Sequence, residues 1–444
     1  MKTILIIGAG LSTKALIDYL LFYSEENHWH IRVGDLLLHH AQKKINNHRN
    51  ASAFQFNIKD LSQRSQEISS ADIVISMIPA SMHIIVAKEC IRYKKNLITP
   101  SYLSEELENM NDEASAKGLL FLNEMGVDPG IDHMSAMSII DRIKEKGGKI
   151  TSFKSFAGGL VAPKYDNNPW NYKISWNPKN IVLAGNGVAI IREVKKTKYI
   201  PYSRVFRRIE PVYFKDYGEF EVYANRNSLV YEKLYKIGGV ETIIRGTLRR
   251  KNFCRAWNIF VNLGCTDDSY EMQLSKDNTY KDYINSFLPY DENTTIEKKF
   301  SEFTNIQMDS DIMNKMKWLG IFTNEKIGIS KPTPAQVLQK IIEKKWRLEE
   351  EEKDLLVMQH HILYELNNQK QMVISSLAVE GDNNINTAMA KTVGLPIPIA
   401  TKLILNNEIN LNGVLIPTHK QIYEPILNEL KQFGIIFNEE KFEV

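Results

Sequence analysis

The chain is poor in cysteine, in net charge and in long apolar runs, and each scarcity removes a class of protein. Cys90, Cys254 and Cys265 are the only cysteines in 444 residues, and they show neither CxxC nor metal-ligand spacing. A disulfide framework is therefore excluded, no metal is expected, and an odd, sparse set of thiols suits a reducing compartment. Lysine and arginine total 56 against 53 aspartate and glutamate, a formal net charge of +3. So small an excess argues against nucleic acid or a membrane surface as the main partner. A small-molecule substrate is expected, and for assembly a homodimer is the candidate. No apolar run is expected to span a membrane, and the chain opens on a strand at Thr3 without a secretion-type leader, so a cytoplasmic location is expected. Internal repeats and low-complexity linkers are missing too. What remains, 43% apolar and 25% charged, is the balance of an ordinary globular protein long enough for two or three domains.

Residues 3–7 (TILII) form an apolar run that ends in Gly8-Ala9-Gly10, after which Leu16, Tyr19, Leu20 and Tyr23 recur at helical spacing. Strand, tight turn and helix follow one another. The first glycine allows the turn, the second lets backbone approach a pyrophosphate, and the helix N-terminus offers N–H groups to the anion. Leu11, Ser12 and Thr13 complete the loop, with Thr13 where a third glycine would allow close packing, so the fingerprint is incomplete. A second strand, 30–33, ends at Gly34-Asp35, the distance downstream at which an acidic residue meets the adenosine ribose. A carboxylate accepts hydrogen bonds from both ribose hydroxyls of NAD and repels the extra phosphate of NADP, which favours NAD; a turn aspartate on a solvated loop is the alternative.

Further apolar runs at 73–78, 96–99 and 119–122 alternate with helical stretches at 82–93 and 103–117. This pattern predicts an α/β fold with a Rossmann-type doubly wound parallel sheet. Ligands of such sheets lie beyond the carboxyl ends of the strands. Met77-Ile78-Pro79, Pro100-Ser101-Tyr102 and the segment 123–128 are thus expected to face one crevice, with Ile78 and Pro79 toward the cofactor. In NEMGVDPGIDHMSAM (123–137) an apolar run becomes an amphipathic helix; Asp128 can be its N-cap or a catalytic carboxylate, Pro129 suits the first helical turn, and His133 suits a packed or hydrogen-bonded position.

From about residue 151 strand-like runs alternate with polar loops. Lys173, Arg226, Arg245 and Arg249 lie on or beside these runs, and each could grip a carboxylate or serve as a surface charge. The basic run 192–208 reads as the solvated face of strands. Between about 270 and 366 the composition is helical, with Pro332-Thr333-Pro334 opening a helix to Trp346 and the charge run 349–354 reading as a solvated helix face. A strand returns at 372–379, and 388–393 ends at Gly394, a C-cap, before Pro396 opens another helix.

Several segments carry a family resemblance: GAGLST at Gly8, SYLS at Ser101, GVDPGIDHMSAM at Gly126, GGLVAP at Gly158, NNPWNYKISWNP at Asn167, NRNSLVY at Asn225, IIRGTLR at Ile243 and AMAKTVGLPIPIATKLIL at Ala388. In this order the chain resembles the L-glutamate-forming saccharopine dehydrogenases, or saccharopine reductases, including the dehydrogenase half of the bifunctional aminoadipic semialdehyde synthase of animals. The resemblance implies three parts: a Rossmann-type domain (1–124 with 390–444), a mixed α/β substrate domain (125–268 with 367–389) and an inserted small all-α domain (269–366). It implies interconversion of saccharopine with glutamate and 2-aminoadipate 6-semialdehyde, with hydride passing to or from NAD or NADP. It also implies Ser101, Tyr102, Asp128, Arg226, Thr247 and Arg249 as saccharopine contacts, with Tyr102 and Asp128 as the acid–base or orienting groups. Gly34-Asp35 is most similar to the NAD-using animal members.

The chain departs from the family at Ala157, where many relatives carry a cysteine proposed to assist proton transfer, at Ala224 and Asn227 beside Arg226, and at Pro100. Two alternatives therefore stay open: a sister enzyme of the carboxynorspermidine dehydrogenase kind, and a non-catalytic homologue that binds NAD(P).

Overall fold

Ile4, Leu5 and Ile6 are wholly shielded from solvent, so strand β1 (Lys2–Ile7) is apolar on both faces, as a central parallel strand must be. It is followed by β2 (Trp29–Asp35), β3 (Ala51–Gln55), β4 (Ile73–Ser76), β5 (Asn96–Ile98) and β6 (Leu120–Leu122). With the strand Gly413–Leu415 these form a seven-stranded sheet in the order Gly413–Leu415, β6, β5, β4, β1, β2, β3, and every pair is parallel. The chain thus builds outward from β1 through β2 and β3, then returns to the other side at β4. That reversal opens a crevice at the carboxyl ends of β1 and β4, the place where such sheets take their ligands.

The connections are the helices α1 (Lys14–Phe22), α2 (Leu38–Ile45), α3 (Leu61–Ser70), α4 (His83–Tyr93), α5 (Glu105–Glu108), α6 (Asn111–Ala116) and α7 (Ile131–Glu145). Leu5, Ile7, Val74 and Phe121 of the sheet pack with Val86, Ala87 and Cys90 of α4 in one apolar cluster. The sequence-predicted helix 103–117 is two short helices, and the edge strand β3 (ASAFQ), only half-buried, was not apparent from composition.

The computed structural model describes all 444 residues, and they divide into two units: Met1–Ile150 with Tyr364–Val444, and Thr151–Leu363. The first unit is completed by an antiparallel pair, Gln369–Glu380 with Asn438–Glu443, and by the helices Ala388–Gly394 and Pro396–Leu405. The window Ala388–Leu405 is long and apolar enough to cross a membrane by composition, contrary to expectation, but it is two helices and 78% of it is buried in the protein. Gly394 is not the left-handed cap that its position before Pro396 suggested. It is the last residue of its helix, and a Cβ there would lie 2.9 Å from the carbonyl oxygen of Ser12, so glycine permits this helix to press on the turn before α1.

The second unit carries β7 (Lys149–Val161), β8 (Ala189–Glu193), β9 (Lys196–Ile200), β10 (Ile209–Phe214), β11 (Gly218–Ala224), β12 (Thr242–Arg250) and β13 (Asp354–Leu366), of which β7 and β13 run across the unit boundaries. The order is β10, β11, β12, β7, β13, with β8 on β12 and β9 on β8; β12 is parallel to β7 and antiparallel to β11. Four helices follow between Tyr280 and Lys345, the last of them, Pro334–Lys345, opened by a reciprocal Thr333/Gln336 capping box. The helical reading of 270–366 fails at its end, where 354–366 is β13, and the charge run 349–354 is turn and coil up to the strand's first residue, Asp354.

Candidate active site

The turn after β1 is held by its own neighbours. Gly8 has φ +101°, and a Cβ on it would lie 2.8 Å from the Met77 carbonyl oxygen and 3.3 Å from Ile78, so a side chain is excluded on two counts. Gly10 is exposed, with open space where a Cβ would be, which leaves backbone free for a pyrophosphate to approach. Leu11 to Thr13 form a single 3-10 turn leading into α1; Leu11 is exposed, and buried Thr13 donates its hydroxyl to the Gly10 carbonyl at 2.8 Å. Thr13 closes the loop internally, and Gly394 lets a later helix pack closely on it from behind.

Asp35 ends β2. Its Oδ2 accepts from the Ala9 amide at 2.7 Å, its Oδ1 accepts from the Leu37 amide at 2.9 Å, and His40 Nδ1 lies 3.4 Å away. The carboxylate thus ties the glycine turn to the end of the neighbouring strand. The residues after it, Leu36, Leu37 and Leu38, are exposed and offer no cation. These features fit a nicotinamide dinucleotide: a glycine turn with open backbone, a carboxylate at the end of the second strand, and Ile78 beside the turn with exposed Pro79 following it.

Past β5 and β6 the chain forms a second ledge in the same unit. Tyr102 donates its hydroxyl to Asp128 Oδ1 at 3.1 Å, so these two residues, 26 positions apart in the chain, share one hydrogen bond. Both are half-buried. Of the two roles that the sequence left open to Asp128, it does not take the N-cap: α7 begins at Ile131, Gly130 occupies the cap, and Asp132 Oδ1 accepts from the Gly130 amide at 2.6 Å. Pro129 correspondingly lies before the helix, with a cis peptide to Asp128. Freed from capping, the Asp128 carboxylate keeps the tyrosine as a partner.

Beneath this ledge lies a buried polar layer. His133 Nε2 donates to Glu124 Oε2 at 2.7 Å, and Glu124 Oε1 accepts from the Leu103 amide at 2.9 Å, while the Glu124 amide donates to the Ser101 carbonyl at 3.1 Å. Glu124 therefore staples the Ser101-Tyr102 segment to α7, and His133 is the hydrogen-bonded structural histidine expected. His83, the first residue of α4, has Nδ1 2.8 Å from Ser76 Oγ and Nε2 2.7 Å from Ser101 Oγ and 2.9 Å from Thr99 Oγ1. Burial pushes this imidazole down to about 4, so it is neutral in ordinary buffers. Sequence reasoning missed His83, Ser76 and Thr99; the only available signal was a lone histidine heading a helix after an apolar strand.

In the second unit Arg245, Thr247 and Arg249 alternate along β12 and so share one face. Arg249 is buried, with its guanidinium 5.3 Å from the ring centroid of Tyr172, 5.4 Å from Phe253 and 5.8 Å from Tyr223. Its Nη1 donates to the Leu248 carbonyl at 2.9 Å, and its Nε has no hydrogen-bond partner. A buried cation held by aromatic faces, with a donor unsatisfied, is prepared for an anion. Arg245 stacks 4.2 Å over Tyr231, and Thr247 accepts from Asn225 Nδ2 at 2.7 Å. Arg226 is exposed on the turn after β11. Beside it, Asn227 Oδ1 accepts from the Leu229 amide at 3.0 Å. Ala157 pairs with Thr247 across β7 and β12, so the position lacking a thiol adjoins that threonine.

Lys173 is placed differently from the arginines. Its ammonium is buried against both carboxylate oxygens of Glu352, which also accepts from Asn167 Nδ2 at 3.0 Å and from the Glu349 amide at 2.8 Å. Its charge is already matched within the protein. The run 349–354, read as a solvated helix face, supplies that buried partner.

Two family models together match most of the chain. Residues 4–122 match the family model of the saccharopine dehydrogenase NADP binding domain, and residues 126–435 that of the saccharopine dehydrogenase C-terminal domain. The chain is 32% identical, over 99% of both lengths, to the saccharopine dehydrogenase [NADP(+), L-glutamate-forming] of Schizosaccharomyces pombe. It is also 32% identical to the mitochondrial alpha-aminoadipic semialdehyde synthase of Rattus norvegicus, matching over 98% of this chain and 47% of that protein. The apo saccharopine dehydrogenase (L-Glu forming) of Saccharomyces cerevisiae superposes over the full length of both chains with a TM-score of 0.89 at 29% identity. The chain belongs to the saccharopine dehydrogenase family.

Proposed function

We propose that this chain interconverts saccharopine with L-glutamate and 2-aminoadipate 6-semialdehyde, a step of lysine metabolism, using a nicotinamide dinucleotide. The observation that carries the reading is the Tyr102 to Asp128 hydrogen bond at the carboxyl end of a dinucleotide-type sheet, in a chain similar over its whole length to L-glutamate-forming enzymes. Oxidation removes a hydride from the carbon next to the secondary amine, on the side that becomes the aldehyde. A bound dinucleotide would supply the hydride acceptor, and the turn Gly8 to Thr13, Asp35, Ile78 and Pro79 would hold it. The remaining work is proton transfer and positioning. The amine must be neutral to lose hydride, and Asp128 accepts its proton while the Tyr102 hydroxyl orients the carboxylate. Water then adds to the substrate imine, and release of the amine gives glutamate. In the reverse direction the same two groups return the protons.

Saccharopine carries three carboxylates. Arg226, Thr247 and Arg249 are assigned to them, together with Ser101, each charge-assisted hydrogen bond contributing about 1.5 to 3 kcal/mol. Arg245 and Lys173 were candidates from sequence for the same task. Lys173 suits it less, since Glu352 already neutralises it.

For the dinucleotide, NAD is the preferred form, although the fungal relatives are named for NADP(+). Support comes from Asp35, whose negative charge opposes a 2′-phosphate, and from the three leucines after it, which offer no counter-charge. Steady-state oxidation of saccharopine with each dinucleotide tests both parts. Turnover with saccharopine and a higher kcat/KM for NAD are expected; NADH binding without saccharopine turnover would sink the catalytic reading. Carboxynorspermidine as a parallel substrate tests the rival enzyme. Asp35→Ser with Leu36→Arg is expected to move the cofactor ratio toward NADP by about tenfold or more, worth roughly 1.4 kcal/mol.

A further inference from the structure

We propose that His83 is a positioning residue for substrate, fixing the Ser101 hydroxyl by joining it to the buried ends of two strands. This inference rests on the reading of Ser101 as a saccharopine contact. Ser76 is the last residue of β4, Thr99 directly follows β5, and His83 heads α4, so one imidazole links three elements of the sheet's ligand-binding edge. Ser76, Thr99 and His83 are all at least 99% buried, whereas Ser101 is half-buried and is the member of the set at the surface of the crevice.

The histidine has a reason to be there that packing does not supply. A serine hydroxyl alone chooses among three staggered positions and a freely rotating hydrogen. The 2.7 Å contact from His83 Nε2 selects one of them, and the 2.8 Å contact from Nδ1 to Ser76 prevents the ring from flipping or swinging. The Ser101 amide also donates to Thr99 Oγ1 at 3.3 Å, so backbone and side chain of Ser101 are registered against the same cluster. Burial keeps the imidazole neutral, so one ring nitrogen donates to a hydroxyl and the other accepts from one. His83 itself is too deep to touch substrate, so its influence must pass through Ser101.

A double-mutant cycle separates this from a purely structural role. Ser101→Ala and His83→Ala are each expected to raise the saccharopine KM about tenfold, the effect of losing one hydrogen bond to a charged group, with kcat changed less than about threefold. The double variant is expected to match Ser101→Ala alone. His83→Gln, which retains a side-chain amide near the Nε2 position, is expected to recover most of the loss, and NADH affinity should be unchanged in every variant. If His83→Ala is too unstable to assay, the cycle is run with His83→Gln and His83→Asn, where Asn is too short to reach Ser101 and should behave as the loss. Multiplying KM effects, or a lowered melting temperature with unchanged KM, overturns the proposal. A Ser101→Ala enzyme with unaltered KM would instead remove the substrate contact itself, and the proposal with it.

Discussion

At the residue scale the second unit uses buried positive charge in two opposite ways. Arg249 is buried without an acidic partner, while Lys173 is buried with one, and the consequence of losing each differs accordingly. Removing the ammonium leaves Glu352 desolvated and unpaired, so Lys173→Met is expected to lower unfolding stability by roughly 3 kcal/mol, read from urea midpoints at neutral pH. Burial pushes the Glu352 carboxyl up, but Lys173, the Glu349 amide and Asn167 outweigh it and hold it below its ordinary value. A carboxyl depressed in the folded state contributes its stability above the unfolded pKa and loses it as pH falls through the folded one. The difference between wild type and Lys173→Met should therefore narrow in acid, at about pH 4 and below. A gap that widens in acid would contradict the pairing. None of this was legible from a charge run in the sequence, because the partners are 179 positions apart. Asp128 was legible as important but not as placed: the sequence pattern Asp-Pro-Gly before an apolar helix is the same whether the aspartate caps the helix or precedes the cap.

At the scale of elements, the parallel sheet could be read in advance because its central strands are shielded on both faces and appear as unbroken apolar runs. β3 escaped because an edge strand needs only partial burial, and β13 because 354–366 has residues suited to either period. The ledge carrying Ser101, Tyr102 and Asp128 could be predicted only as a set of strand ends; the buried polar layer that fixes it is tertiary. Glu124 and His133 are its hinge pin. His133→Phe leaves the Glu124 carboxylate buried without its strongest donor, and an unfolding loss of about 2 kcal/mol is expected, together with a raised saccharopine KM. Calorimetry and steady-state kinetics check the two effects separately, and an unchanged KM would show that the ledge holds its shape without the pair.

At the scale of the whole molecule, the first unit is made from the two ends of the chain. The helix ending at Gly394 lies against the turn that opens α1, close enough that a Cβ would meet Ser12, Ala15 and Leu16. Gly394→Val is expected to displace that turn and weaken NADH binding about tenfold while leaving the sheet intact, which fluorescence titration and circular dichroism would report. Normal NADH affinity in this variant would mean that the turn is indifferent to the helix behind it. Sequence inspection placed a helix boundary here correctly but gave the glycine the wrong task, since a cap and a close approach demand the same residue.

The same proximity bears on biosynthesis. A ribosome making this chain delivers the glycine turn well before the helix that buttresses it. Through translation of everything between, the turn stands without the helix that packs against Ser12, Ala15 and Leu16.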